Sequence, residues 1–239
     1  MTTSAETSPP EMHHAHRDVT GGWLRPATFG VMDGLVSNLA LVAGVVGGGA
    51  GGHTVVVTGL AGLVAGACSM ATGEFTSVSS QNELTQKEIA VERRELEVHP
   101  QEELAELTRT FEARGVRPEL AAKVARDLSA DDEVVWRVHV REELGVDPDD
   151  LPSPRVAAGS SFVAFAVGAL IPLLPFLLGA ASVLPALAVG AIALVGTGAL
   201  TARLTSRPLW YGGSRQLVLG GLSAAVTYGV GLLVGVGLS

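Results

Sequence analysis

The sequence predicts an all-α, polytopic membrane protein: five transmembrane helices, with a hydrophilic helical domain inserted between the second and the third. Three observations predict it. Five apolar runs, Ala27–Gly49, Val55–Ser80, Val156–Ala180, Val183–Leu204 and Leu217–Leu238, are each near the roughly 20 residues a helix needs to cross the hydrocarbon layer. All 16 Lys and Arg residues fall on one side of that five-span reading. Of the 24 acidic residues, 19 crowd into one stretch, Glu83 to Asp150, on that same side.

Composition agrees. The chain is 47% hydrophobic and only 17% charged, with 30 glycines and a positive mean hydropathy, and Gly is commoner in membrane helices than in soluble ones. The net charge of −8 arises almost wholly in the acidic stretch, which disfavours nucleic acid as a partner and favours a cation. Cys68 is the single cysteine, so no disulfide framework is expected.

Taken in order, residues 1–25 read as a disordered cytosolic tail with no cleavable signal expected. They carry Pro9, Pro10 and a cluster of His13, His14 and His16, a tract more often incidental than metal-binding. Residues 26–82 hold the first two spans. Arg17 and Arg25 precede the first span, Lys87 to Arg155 lie between the second and third, and Arg203, Arg207 and Arg215 flank the turn between the fourth and fifth. The opposite turns, Gly47–Thr54 and Gly179–Leu184, carry no basic residue. The positive-inside rule therefore puts the amino terminus and the central domain in the cytosol and the carboxyl terminus outside.

Residues 83–150 read as helices. The second span continues as a polar helix to His99, and Pro100 opens a second helix ended by Gly115. Pro118 opens a third, and Ser129 or Asp131 caps a fourth that stops at Gly145. Leu104, Leu107, Phe111, Leu120, Val124, Leu128, Val135 and Val138 supply the apolar stripe. A linker, Asp147–Pro154, returns the chain to the membrane, and residues 151–239 hold spans three to five.

Three pairs in this domain have metal-ligand character: Glu92 with Glu95, Glu103 with Glu106, and His139 with Glu143. Spacings of three and four place side chains on one helix face, and three packed helices can aim these groups at one point. Carboxylates with imidazole suit first-row divalent ions. A solvated, dipole-compensating role is the competing explanation. It fits Glu102, Glu103 and Glu106 at a helix start. It fits Glu92, Glu95, Glu142 and Glu143 less well, because anions near a helix end cost a few tenths to about 1 kcal/mol each. Arg93, Arg94 and Arg141 offer local compensation.

Inside the membrane, Asp33 lies well within the first span, where an Asp costs roughly 2.5–3.5 kcal/mol at mid-helix. Such a residue faces a pathway or a partner. Ser37 and Asn38 follow it. In the second span Cys68, Ser69, Met70 and Glu74 form another polar island, with Met70 and Glu74 one turn apart. A thioether is a soft ligand, better matched to iron(II) than to calcium or magnesium.

The strings DGLVSNLALVAGVVGG, SMATGEFTSVSSQNE, REELGVD and GALIPLLPF, with the Glu-rich insert between spans two and three, resemble the vacuolar iron transporter family, in a bacterial-type form. The resemblance runs from Trp23 nearly to the end. It implies a five-span homodimer that exports ferrous iron, and manganese too, from the cytosol in exchange for protons. It also implies a path between protomers lined by Asp33 and Met70, with domain carboxylates at Glu92, Glu95, Glu103, Glu106 and Glu143. At His139 plant relatives carry a metal-binding Met, so the resemblance implies a harder, ionisable imidazole ligand here. Glu74 is a further departure and is taken as an accessory site on the transport path.

The expectation is thus a divalent metal transporter and not an enzyme. Its partners are the lipid bilayer, protons and a second copy of the chain. Fe2+, Mn2+ and also Zn2+ or Co2+ serve as substrate rather than as a prosthetic group. The absence of a targeting segment and the Ala/Val/Arg-rich usage lean towards a bacterial plasma membrane. Two other readings are a membrane-anchored metal buffer or sensor and a membrane di-iron carboxylate enzyme. The latter matches poorly, because such sites use Glu-x-x-His on two helices and this chain offers Glu95-x-x-x-His99 and His139-x-x-x-Glu143.

Overall fold

A computed structural model of the chain describes residues 22–238, and the side chains of 22–235. The tail histidines His13, His14 and His16 lie outside the described residues. Within them the fold is all-helical. Helix α1 spans Leu24–Gly47, α2 Gly52–Val98, α3 Pro100–Ala113, α4 Pro118–Leu128, α5 Asp132–His139, α6 Pro154–Leu170, α7 Leu174–Leu177, α8 Leu184–Leu204 and α9 Leu209–Leu238. Among the described residues, five stretches are long and apolar enough to cross a membrane: α1, α2, Pro154–Leu177, α8 and Leu209–Gly235.

The sequence reason for the centre of the bundle is glycine. Helix α1 is the most enclosed of the five, with 44% of its most apolar window buried against 11% for α9. It packs along α6 and α9. A Cβ on Gly34 would fall on the Phe165 carbonyl, and one on Gly168 would fall on the Val31 carbonyl, so the α1 and α6 backbones touch only because both are bare. Gly168→Ala must separate the two helices. A loss of about 1–3 kcal/mol is expected, as for other overpacked sites, and a lower melting temperature of the detergent-solubilised protein would register it.

Two span boundaries differ from expectation. The third apolar run does not form one helix. It tightens to a 3-10 turn at Ile171–Leu173 before α7, because Pro172 and Pro175 lack the N–H that an α-helix interior requires. Helix α9 begins eight residues before the expected Leu217, so Arg215 sits within its first turns instead of in a loop. Trp210 meets Tyr211 edge-on, and the Arg215 guanidinium lies 5.7 Å from the Tyr211 ring centroid. Amphipathic aromatics and snorkelling arginines extend helices into the interface beyond the reach of hydropathy.

Helix α2 is continuous for 47 residues. Its first half is apolar, and its polar second half carries a lobe made by α3, α4 and α5. Pro100 and Pro118 occupy the first turns of α3 and α4. Asp131, not Ser129, caps α5, accepting from the Glu133 N–H at 2.9 Å. Leu107, Ala121, Ala125, Val135, Trp136 and Val140 form the lobe's buried interior. Leu120, expected in the stripe, is 46% exposed; Ala121 takes the inward position on α4. The Asn82 amide donates to the Pro152 carbonyl at 2.9 Å and ties the returning linker to α2.

Candidate metal centre and membrane cleft

His139 ends α5 and is fully buried. After it the chain widens into a π-turn, Val140–Leu144, stopped by Gly145 at φ +66°. Such turns are rare and recur at functional sites. The turn separates two adjacent acids. Glu142 is taken by an ion pair with Arg114 at the end of α3, which leaves Glu143 to face His139. Arg141 pairs with Asp147 at 2.8 Å and Arg137 with Asp149 at 3.2 Å, fixing the following loop.

Four of the six candidate ligands converge here. The His139 Nδ1 lies 2.9 Å from Glu92 Oε1 of α2, 3.1 Å from Glu143 Oε1, and 3.5 Å from Glu103 Oε2 of α3. One ligand atom from each of the four residues lies within 4.8 Å of the others. Glu92 and Glu103 are nearly enclosed, at 13% and 12% side-chain exposure. Glu106 and Glu95 stand outside this group. Glu106 is exposed and Glu95 faces His99 at 3.8 Å, yet Glu106 repels both Glu92 and Glu103 while Glu95 repels Glu103.

The electrostatics of the cluster are unbalanced. Burial, then the neighbouring Glu143, push the Glu92 carboxyl up to about 7; Glu103 and Glu106 add to this and His139 opposes it. Glu103 is raised as well, chiefly by burial. His139 Nε2 is buried with no hydrogen-bond partner among the described residues. Glu92 Oε1, though 2.9 Å from His139 Nδ1, is buried without a well-aligned hydrogen bond because Nδ1 bonds to Glu143. A buried polar atom left so costs free energy. Three carboxylate donors and an imidazole around one point are a donor set that first-row divalent cations satisfy.

Sequence reasoning missed Trp136. The Arg93 guanidinium of α2 lies 3.8 Å from its ring centroid and that of Arg137 lies 4.5 Å away. This cation–π contact clamps α5 to α2 beside Glu92. Arg93 was expected to balance acids at the end of its own helix. A lone tryptophan on an otherwise short amphipathic helix was the available signal.

The second feature lies in the apolar half of α2. A cleft of about 250 Å³ runs between α1 and α2 and is closed at one side by Phe165 of α6. Asp33, Ser37 and Asn38 line it from α1, and Ser69 and Met70 from α2. Gly62 and Gly66 make room for it, since a Cβ at either would meet Leu41 or the Phe165 ring. The structure therefore brings Asp33 and Met70 to one cleft. Glu74 does not line it; it lies one further turn along α2, about 6 Å towards the lobe. At 1.5 Å per residue, about 33 Å of unbroken α2 joins Met70 to Glu92.

The chain matches the model of the VIT family over residues 24–232. It is 37% identical to the Vacuolar iron transporter of Acanthamoeba castellanii over 222 residues, 90% of this chain and 79% of that protein. Identity to Vacuolar iron transporter homolog 1 of Oryza sativa subsp. japonica is 36% over 219 residues, covering 89% and 74%. Vacuolar iron transporter 1 of Arabidopsis thaliana is 32% identical over 170 residues, covering 70% and 67%. The relatives are named as transporters, in keeping with a membrane-spanning protein that is not an enzyme. With its five apolar spans and a match to the family model along almost all the described helices, this chain is an integral membrane protein that belongs to the VIT family.

Proposed function

We propose that the protein exports ferrous iron and manganese from the cytosol in exchange for protons. The observation that carries this reading is one helix serving two sites. Helix α2 presents Glu92 to the acidic cluster at one end and Met70 to the cleft with Asp33 at the other. The relatives named vacuolar iron transporters support iron as cargo. The distribution of Lys and Arg supports a cytosolic lobe, residues 83–150, and an external carboxyl terminus. The bacterial plasma membrane remains the setting we favour.

In this mechanism the lobe gathers cation from the cytosol. Glu92, Glu103, His139 and Glu143 hold it, while Glu95 and Glu106 contribute field that raises its local concentration. The ion then passes along the α2 face, past Glu74 at the membrane entrance, to Met70 and Asp33. Asp33 holds either the cation or a proton. Protonation from the outer side removes the carboxylate charge and lets the ion go, and return of the proton inward resets the site. Little of the apolar window of α2 is buried within one chain, 17%, and Val57, Leu60, Val64 and Phe75 stand exposed along it. That face suits a homodimer whose seam closes the path.

The raised Glu92 gives a pH dependence with a definite sign. Cation bound by that carboxylate must displace its proton below about pH 7. Affinity of the lobe for Mn2+ is expected to fall by up to about tenfold per unit as pH drops from 7 to 6, and to level off above 8. Titration calorimetry in buffers of different ionisation enthalpy reads both the affinity and the released proton, and an affinity flat between pH 6 and 7 would contradict it. For the chelated protein the linkage runs the other way. The folded state holds the Glu92 proton more tightly than the unfolded, so this contribution to stability is full below about 4.5 and is lost as pH rises through about 7.

Uptake of Fe2+ and Mn2+ into proteoliposomes tests the reading as a whole. Flux of both ions is expected, and a chain that binds metal at the lobe but moves none would instead be a membrane-anchored buffer.

A further inference from the structure

Asn38 is 2% exposed, deep within α1. Its side-chain N–H donates to the Ala169 carbonyl at the end of α6, at 2.6 Å across 131 residues of sequence. That bond fixes the amide, with the nitrogen towards α6. The side-chain oxygen is left facing α2, where a Cβ on Gly62 would stand 3.4 Å from it. This Oδ1 is buried and has no hydrogen-bond partner among the described residues. It lines the same cleft as Asp33 and Met70.

A helix-to-helix tie explains the N–H and leaves the oxygen unexplained. Leucine would fill the same volume without burying an orphan acceptor, which the membrane interior penalises. The position along the helix supplies the rest. Counting back from the α1–α2 turn at 1.5 Å per residue, Asn38 lies about 13 Å from that end, Asp33 about 21 Å and Met70 about 27 Å. The three groups are steps at successive depths of one cleft.

We propose that the side-chain oxygen of Asn38 is a further ligand of the transport path: a neutral oxygen that receives the divalent cation after Met70 and Asp33, on its way to the α1–α2 turn. This rests on the transport reading above. A neutral amide holds a divalent cation more weakly than a carboxylate does, so it receives the ion without trapping it. It carries no exchangeable charge and therefore takes no proton in the cycle.

The test is Mn2+ uptake by proteoliposomes containing the full chain, comparing wild type with Asn38→Leu and Asn38→Asp. Asn38→Leu removes the oxygen and is expected to raise KM about tenfold, as loss of a metal-site partner commonly does. Asn38→Asp puts a carboxylate there and is expected to lower both KM and maximal rate, because release becomes slow. Opposite shifts in KM distinguish a ligand from a tie. If both variants lose rate in step with their melting temperatures while KM stays at the wild-type value, Asn38 only joins α1 to α6 and the proposal is overturned. Should Asn38→Leu fail to fold, Asn38→Ser replaces it with the same expected rise in KM. An inactive wild type would sink the transport reading and this proposal together, whereas an active wild type with unmoved KM values sinks this proposal alone.

Discussion

Replacing Asp33 with Asn is expected to abolish metal flux in proteoliposomes while leaving Mn2+ binding at the lobe nearly intact. The substitution keeps size and polarity, so the fold and the cleft persist. Among the described residues that line the cleft, it removes the one side chain able to be either an anion or an acid. The two sites are far apart: with Met70 and Glu92 about 33 Å apart on α2, a change at Asp33 reaches the His139 cluster neither by contact nor by its field. An ionisable side chain at this depth costs roughly 2.5–3.5 kcal/mol on insertion scales, so Asn38-like neutrality would be the cheaper choice were charge not needed. Flux of the variant below a tenth of wild type, with calorimetric Mn2+ affinity within about twofold, is the expected pair of results.

The second large effect is at His139. His139→Ala removes the atom on which Glu92, Glu103 and Glu143 converge at 2.9, 3.5 and 3.1 Å. Lobe affinity for Mn2+ is expected to fall by about tenfold to a hundredfold, and transport at low metal to fall with it. Transport at saturating metal should survive, because Asp33 and Met70 are untouched. Glu92 and Glu103, stripped of the imidazole that opposes the repulsion between carboxylates, should also hold protons more tightly, since His139 lowers both. His139→Met retains a ligand of softer character, so it should recover Fe2+ binding better than Mn2+ binding. Equal affinity in wild type and His139→Ala would show that the acidic cluster is a solvated face and nothing more.

Much of this architecture was legible in the chain because its signals are local. Length and apolarity mark a span, and Pro100, Pro118 and Asp131 mark helix starts by chemistry that needs no tertiary context. The three-and-four spacing of Glu92 with Glu95, Glu103 with Glu106 and His139 with Glu143 put each pair on one helix face. What spacing does not settle is which member turns inward. The π-turn and the Arg114–Glu142 pair choose Glu143, and the position of α3 chooses Glu103 over Glu106. Those are outcomes of packing between helices distant in sequence.

The same limit explains the rest. Trp136 under Arg93 joins positions 43 residues apart, and Asn38 on Ala169 joins positions 131 apart. Neither partner is readable from its own neighbourhood. The break in the third span was visible as two prolines in GALIPLLPF but was overridden by the continuous apolar run. The early start of α9 hid behind Arg215, a charge that hydropathy counts as loop and that a helix end accommodates by reaching to the interface.

The central claim is that a membrane-embedded carboxylate exchanges a divalent cation for a proton. Simultaneous recording of metal entry and lumenal pH in proteoliposomes, with the proton gradient imposed or collapsed, tests it most directly. With acid inside, Fe2+ or Mn2+ uptake should accelerate and the lumen should grow more alkaline as metal enters, and both signals should vanish together in Asp33→Asn. Metal entry indifferent to the gradient, with no movement of lumenal pH, would contradict the account.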